Sequence, residues 1–379
     1  QVALQQIASE EPTLSQEGKE KLQLIQGVLT GGAPIPTEGS QELNHSQRLA
    51  IASALGRRLT LIQGPPGTGK THVSVSLMTY WARGVTECWP LLATSGSNIA
   101  VDNIAEGCIR AGLKVVRIGR PEKVSPQLEQ CTLESLLKQG GGTYGAADIW
   151  ASDEDNEKQR QYSDRMKVLK EADVICATTI VAGSDFLAQI DFGACLIDEV
   201  AQATELSAIV PVFLRNPGRL VLVGDHCQLP PNSCSLEAER RGVTLSLFGR
   251  LHSHGLESFF LDTQFRMHPK IAEFSSRQFY EGKLNTGITA QDRPSPKGFD
   301  WPSPGNGVAF INCDGREQRD GDSFYNNLEA GVIADVLEKV LAAGGTSILE
   351  IGVVSPYSAQ VRGMKQWLRK ELAERLPGM

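Results

Sequence analysis

The chain has 379 residues, 41% of them hydrophobic, with a net charge of −7 and a sequence pI near 5.5. This length predicts two or three domains. The acidic balance excludes binding that relies on a strongly basic surface or tail. It does not exclude nucleic-acid binding in a narrow groove, where local charges rather than the net charge set the electrostatic potential. No apolar run reaches the roughly 18 residues that a membrane span needs, and the first ten residues carry no secretory signal.

The chain begins at Gln1 rather than Met, which indicates a fragment of a longer protein. Its eight cysteines are scattered, with no CxxC pair. Cys227 and Cys234 lie seven positions apart, a spacing that suits neither a zinc knuckle nor a redox motif. We therefore expect reduced thiols and a cytoplasmic location, with the nucleus as the alternative.

Residues 1–40 predict an N-terminal helical stalk followed by a linker. Leu22, Ile25 and Leu29 recur at helical spacing. The sequence GGAPIP at 31–36 then breaks any helix.

Residues 41–258 predict a first lobe, because short apolar runs alternate there with helical segments. Most of these runs are short and apolar throughout, as expected of parallel strands that are covered on both faces. This alternation predicts a doubly wound α/β sheet. The six candidate strands are Leu59–Gln63, Leu91–Thr94, Val115–Ile118, Val174–Ala177, Ala194–Ile197 and Leu220–Val223.

Residues 121–170 interrupt the first lobe with a glycine triplet and a long charged run. We predict a helical arm inserted there, with a solvated surface loop as the alternative. A partial second lobe is predicted over residues 259–379. Its candidate elements are strands near 259–261, 308–311 and 351–354 and a helix over 328–341.

A glycine-rich loop follows the first candidate strand and precedes a helical stretch, which is the context that identifies a P-loop. Its residues are Gly64-Pro65-Pro66-Gly67-Thr68-Gly69-Lys70-Thr71. Glycines allow backbone N–H groups to turn toward phosphate oxygens, and the helix start adds its positive dipole end. In such loops the lysine reaches the β and γ phosphates and the hydroxyl after it binds Mg²⁺.

An acidic pair, Asp198 and Glu199, ends the apolar run that begins at Ala194. Ligands bind at the carboxyl ends of strands in sheets of this kind. We predict that Asp198 helps to hold Mg²⁺ and that Glu199 acts as the general base for the attacking water.

Two further segments carry candidate residues. The strand over 220–223 runs into a polar loop in which Gln228 can sense the γ-phosphate; a turn capped by Asp225 is the alternative. His226 in this loop has no metal partner at ligand spacing, so we interpret it as an ordinary loop histidine. Phe265 can stack on adenine, and Arg266 can neutralise charge on the γ-phosphate; a surface role for Arg266 is the alternative.

Six motifs in this order resemble the up-frameshift-type superfamily 1 helicases. They are Leu43–Gln47, the P-loop, Ser97–Asp102, Asp198-Glu199 with Gln202, Gly224–Gln228, and Gln264–Pro269. The resemblance implies a P-loop NTPase fold with two RecA-like parallel-sheet lobes, the second incomplete here, and ATP with Mg²⁺ between them. It also implies 5′-to-3′ movement on single-stranded RNA or DNA, a monomer away from membranes, and partners among mRNA-decay factors.

Site residues follow from the same resemblance. Gln47 would read adenine and Phe265 would stack on it. The residues implied to lie near nucleic acid are Ser97, Asn98, Thr178, Pro356 and Tyr357. Hydroxyls and amides of this kind grip the phosphate and sugar without reading bases. For Ser97 and Asn98, a helix cap is the alternative.

The family's two final motifs, one of which supplies an arginine to the γ-phosphate, do not follow the Ser-Pro-Tyr motif that ends at Tyr357. Because such arginines contribute roughly 10³–10⁵ in rate, we expect this chain to bind ATP but to hydrolyse it slowly. The sequence favours an RNA helicase of nonsense-mediated mRNA decay. It leaves open a DNA helicase of the same family and a non-catalytic clamp that uses nucleotide to set its grip.

Overall fold

The computed structural model describes residues 16–32, 42–85, 88–139, 155–303, 305 and 307–368. The chain forms two compact units. The first ends at Phe265 and also includes Lys283–Asn285, and the second contains Arg266–Gly282 and the residues from Thr286 onward. No helix within the described ranges is both long enough and apolar enough to cross a bilayer.

The first unit is built on one sheet of seven parallel strands. The strands are β1 Leu59–Gln63, β2 Leu91–Ser95, β3 Val115–Ile118, β4 Val174–Thr178, β5 Ala194–Asp198, β6 Arg219–Gly224 and β7 Ser258–Phe260. Their order is β3-β4-β2-β5-β6-β1-β7. All six strands predicted for the first lobe are therefore confirmed, some with one or two additional residues.

Helices cover both faces of this sheet. In chain order they are α1 Gln16–Thr30, α2 His45–Gly56, α3 Lys70–Gly84, α4 Asn98–Arg110, α5 Leu133–Gln139, α6 Asp155–Lys170, α7 Thr179–Ala182, α8 Glu205–Arg215, α9 Leu236–Arg240 and α10 Leu247–Ser253. Short 3₁₀ turns span Pro121–Lys123, Pro126–Cys131, Asp185–Leu187 and Val200–Gln202.

Two buried clusters, one on each face of the sheet, form the core. Ile62 and Val223 belong to one cluster, and their chain neighbours Leu61 and Leu222 belong to the other. Successive side chains of a strand point to opposite faces, so a strand that is buried on both faces is mostly apolar. The unbroken apolar runs in the sequence reflect this arrangement.

Strand β7 corrects the predicted boundary of the second lobe. The run at 259–261 was predicted to open that lobe, but β7 pairs in parallel with β1 and completes the first sheet. An apolar run shows that a strand is buried, but it does not show which neighbour supplies its hydrogen bonds.

Two predicted appendages pack against the first unit. Helix α1 confirms the helical part of the stalk, and Leu22, Ile25 and Val28 are buried. The insertion is helical at both ends, and Leu137 of α5 and Leu169 of α6 lie in the core. These ends therefore belong to the lobe; residues 33–41 of the linker and 140–154 of the insertion lie outside the described residues.

The second unit contains helices and short strands. Its elements are α11 Pro269–Phe279, β10 Gln318–Asp320, β11 Ser323–Tyr325, α12 Asn327–Ala342, a 3₁₀ turn over Ile348–Glu350 and α13 Ser358–Trp367. Strands β10 and β11 pair as an antiparallel hairpin. Two two-residue strands, β8 Thr263–Gln264 and β9 Asn285–Thr286, flank α11 in the chain. Helix α12 confirms the helix predicted over 328–341.

The strands predicted near 308–311 and 351–354 are wrong for this structure, because both runs are irregular. Phe310 is 90% exposed and Val354 is 95% exposed. A strand forms where a neighbour satisfies its backbone N–H and C=O groups. Among the described residues of this unit, no strand pairs with either run.

Candidate nucleotide-binding site

The glycine-rich loop joins β1 to α3. Gly67 and Gly69 adopt φ values of 79° and 81°, a left-handed conformation that favours glycine. The Thr68 hydroxyl is fully buried and donates to the Pro65 carbonyl at 2.8 Å. A Cβ added to Gly64 would lie 2.3 Å from Cγ of Lys70. Glycine is therefore required at Gly64 for the lysine to pass over the loop.

Lys70 and Glu199 meet at the carboxyl edge of the sheet. Nζ of Lys70 lies 3.4 Å from Oε1 of Glu199 and donates to the Gly64 carbonyl at 2.9 Å. Glu199 follows β5 with a φ of 49°, which a residue other than glycine seldom adopts. Gln202 donates to the other Glu199 oxygen at 3.2 Å. Backbone strain and a side-chain contact together direct this carboxylate toward the loop.

Asp198 is the last residue of β5 and is only 4% exposed. Its Oδ1 accepts a hydrogen bond from the Glu199 N–H at 2.9 Å. Burial, and then the neighbouring charge of Glu199, raise the pKa of the Asp198 carboxyl to about 7. A cation beside the two carboxylate oxygens of Asp198 would favour the ionised form, so Asp198 is suited to bind a hard metal ion.

Asp225 connects the predicted sensor to the sheet. Gln228 donates to its Oδ2 at 2.8 Å, and Gln63, the last residue of β1, donates to its Oδ1 at 3.3 Å. Asp225 is 1% exposed. The structure thus places Gln228 close to the end of β1, where the P-loop begins.

The interpretation of His226 needs correction. The ligand atoms of Asp225, His226 and Cys227 lie within 4.8 Å of one another, so His226 does have neighbours at ligand distance. The rings of His226 and His252 have centroids 4.3 Å apart. Burial, and then His252, lower the pKa of His226. The contact with His252 comes from α10, which sequence spacing does not reveal.

Gln47 lies beneath the P-loop. It is 3% exposed, and its Nε2 donates to the Thr68 carbonyl at 3.0 Å. Its Oε1 accepts from the backbone N–H of Asn44 at 3.0 Å, which completes a capping box at the start of α2. A Cβ at Gly69 would lie 2.9 Å from Nε2 of Gln47. Gln47 therefore braces the loop, whether or not it also reads the base.

We expect Gln47→Ala to weaken the binding of both ATP and GTP about tenfold. Two side-chain hydrogen bonds to the backbone are lost, each contributing about 0.5–1.5 kcal/mol, and the loop loses its support. Titration of each nucleotide by isothermal calorimetry measures the change, with Gln139→Ala at the exposed end of α5 as the control. A loss confined to ATP would show that Gln47 serves the base and not the loop.

Phe265 and Arg266 fall on different units. The N–H of Phe265 donates to the Gly67 carbonyl at 2.9 Å, so its backbone is fixed to the P-loop, and the residue is 41% exposed. Arg266 begins the second unit, where its carbonyl accepts from Arg293 at 3.1 Å. The predicted roles of both side chains toward nucleotide stay predictions.

The predicted nucleic-acid residues of the first unit follow β2 and β4. The Ser97 hydroxyl caps α4 by accepting from the Ala100 N–H at 3.2 Å. This cap is compatible with the predicted nucleic-acid role of Ser97, which stays a prediction. Asn98 is the first residue of α4, and Thr178 ends β4. β2 and β4 are adjacent and parallel, which brings these residues to one edge of the sheet.

The predicted residues of the second unit are Pro356 and Tyr357. They directly precede α13. Tyr357 is 46% exposed and meets the ring of Phe324 edge-on, with centroids 5.9 Å apart.

Sequence reasoning missed Arg117 in β3. This arginine is fully buried and pairs with Asp102 of α4, with 2.7 Å between Nε and Oδ1. The sequence signal was a charged residue within an otherwise apolar four-residue run, because a buried charge requires a buried partner.

The parallel sheet, the glycine-rich loop between β1 and α3, and the acidic pair at the end of β5 define a P-loop NTPase. Sequence comparison agrees with this class. One AAA domain profile matches residues 42–144 and 147–236, just over half of the chain, and another AAA domain profile matches residues 243–376. The chain belongs to the AAA domain family.

Similar proteins are named as nonsense-transcript regulators or helicases. A Regulator of nonsense transcripts 1 homolog of Drosophila melanogaster is 37% identical over 344 residues, covering 86% of this chain and 29% of that protein. Regulator of nonsense transcripts 1 of Caenorhabditis elegans is 39% identical over 337 residues, covering 85% of this chain and 31% of that protein. The ATP-dependent helicase NAM7 of Saccharomyces cerevisiae is 35% identical over 356 residues, covering 89% of this chain and 36% of that protein. The chain thus spans about a third of the length of these relatives.

Proposed function

We propose that this chain is the ATP-binding part of a helicase that moves along single-stranded RNA. The observation that carries the proposal is the 3.4 Å approach of Lys70 Nζ to Glu199 Oε1. A phosphate-binding cation and a carboxylate that can activate water then face one space at the carboxyl edge of the sheet. That edge is where ligands bind in open α/β sheets.

In this proposal the P-loop backbone and Lys70 bind the phosphates of ATP. The Thr71 hydroxyl and the Asp198 carboxylate would hold Mg²⁺, which neutralises phosphate charge when it is bound. Glu199 orients the attacking water and accepts its proton, and Gln228 senses the γ-phosphate. Arg266 is proposed to neutralise charge as the phosphoryl group departs.

The proposed nucleic-acid grip uses neutral side chains. In the first unit, Ser97, Asn98 and Thr178 are proposed to contact phosphate and sugar. In the second unit, Pro356 and Tyr357 are proposed to make contacts of the same kind. Such contacts position a polynucleotide without reading its sequence, which a motor requires. The names of similar proteins, which refer to nonsense transcripts, favour RNA over DNA and mRNA-decay factors as partners. A cytoplasmic monomer is part of the same proposal.

The test is ATP hydrolysis by the chain with oligo-U or with oligo-dT of equal length. We expect both to stimulate phosphate release, RNA more strongly, and Lys70→Ala to abolish both effects. Stimulation by DNA equal to or above that by RNA would reject the RNA assignment. If neither stimulates hydrolysis and neither is bound in an ATP-dependent way, the motor proposal is rejected.

A further inference from the structure

A buried polar network lies beneath the start of α4. Its centre is Arg117, whose Nε donates to Oδ1 of Asp102 at 2.7 Å and whose Nη2 donates to Oδ1 of Asn98 at 3.0 Å. The other oxygen of Asp102 accepts from the backbone N–H of Ser125 at 2.9 Å. The network therefore joins the first two turns of α4, β3, and the start of the predicted insertion, where Ser125 lies.

Burial makes this network costly unless all of its members are paired. Arg117 is fully buried and Asp102 is 7% exposed. Removing two charges from water costs several kcal/mol for each ion, and a hydrophobic pair of equal volume is often at least as stable. The backbone also makes room for the arginine, since a Cβ on Gly119 would lie 2.9 Å from its Nη1. Stability alone is therefore a poor reason for an arginine at this position.

The hydrogen bond to Asn98 fixes which way its amide points. A guanidinium has five N–H donors and no acceptor, so the atom of Asn98 that faces Arg117 must be the oxygen. The amide nitrogen is thereby directed away from Arg117, and Asn98 is only partly buried. Its two N–H donors suit an acceptor, and the backbone of nucleic acid offers phosphate oxygens at every step.

We infer that Arg117 is a positioning residue for nucleic-acid binding, which it serves by holding the Asn98 amide with its N–H donors toward the phosphate backbone. This inference rests on the proposed function. Because Asp102 also accepts from the Ser125 N–H, the same network ties the start of the predicted insertion to the orientation of Asn98. Arg117 itself does not touch nucleic acid.

The test measures the Kd of fluorescein-labelled oligo-U by anisotropy with the full chain. Arg117→Lys keeps the positive charge beside Asp102, but its single ammonium cannot also reach Asn98 in the same geometry. We expect Arg117→Lys and Asn98→Ala each to weaken binding about fivefold, the size of one lost neutral hydrogen bond. The double variant should also lose about fivefold, because both changes remove one contact.

Salt dependence separates positioning from direct contact. In Arg117→Met, the slope of log Kd against log salt concentration should equal that of the wild type. Loss of a direct phosphate contact would instead reduce the magnitude of this slope by about 0.7. Arg83→Lys is the matched control, because Arg83 donates to the Ala111 carbonyl at the other end of α4. Thermal melting of each variant confirms that it is folded.

Three results would overturn the inference: wild-type affinity in Arg117→Lys, losses that multiply in the double variant, or a reduced salt slope. Failure of the proposed function looks different. In that case the wild-type chain itself does not bind oligo-U, and the Asn98→Ala variant gives no change to compare.

Discussion

Lys70→Ala is expected to weaken ATP binding about 10- to 150-fold and to abolish hydrolysis. The ammonium lies at the P-loop, within 2.9 Å of the Gly64 carbonyl and 3.4 Å of Glu199, so it is already in place for the phosphates. A hydrogen bond to a charged group contributes about 1.5–3 kcal/mol, which gives this range of affinity. Calorimetric titration with ATP and Mg²⁺ measures the loss.

The control for this variant is Lys138→Ala. Lys138 lies at the end of α5, where its side chain is 53% exposed and pairs with Glu134. Exposed pairs of this kind contribute about 1 kcal/mol or less, and this one lies outside the candidate site, so ATP affinity should not change. Equal ATP affinity in Lys70→Ala and wild type, with both proteins folded, would show that the loop does not bind phosphate.

The first lobe could be predicted from sequence because each of its strands is buried on both faces. That burial leaves continuous apolar runs such as Ala194–Ile197, and the lengths of the predicted runs matched those of the observed strands closely. The second unit shows where the same rule fails. The run at 351–354 has the right composition for a strand, but among the described residues it has no strand beside it. Pairing partners are a property of the tertiary structure and not of the run.

The candidate site likewise contains residues that could be predicted from the sequence and residues that could not. Lys70 begins the helix that follows β1 and Asp198 ends β5, so their positions follow from local pattern and topology. Arg117 was missed because its partner Asp102 is 15 residues earlier and on a helix. The brace made by Gln47 was also invisible, since it depends on the Thr68 carbonyl 21 residues away.

The partner of Lys70 provides the second large effect. Glu199→Gln is expected to lower ATP hydrolysis at least about 100-fold while ATP binds as tightly as in the wild type, or more tightly. A positioned general base contributes roughly 10²–10⁴ in rate, and an amide cannot accept the proton of the attacking water. Release of radiolabelled phosphate measures turnover, and calorimetry measures affinity.

The substitution isolates the proton-accepting role because little else changes. Glutamine has the same shape, its amide oxygen can still accept from Gln202, and removing the negative charge lessens repulsion of the phosphates. Glu237→Gln on α9, whose side chain is 62% exposed and pairs with Arg241, is the matched control and should hydrolyse ATP as the wild type does. Hydrolysis within about threefold of wild type in Glu199→Gln, with Lys70→Ala inactive, would mean that another group activates the water. The 3.4 Å approach of Lys70 to Glu199 would then reflect only a salt bridge at the carboxyl edge of the sheet.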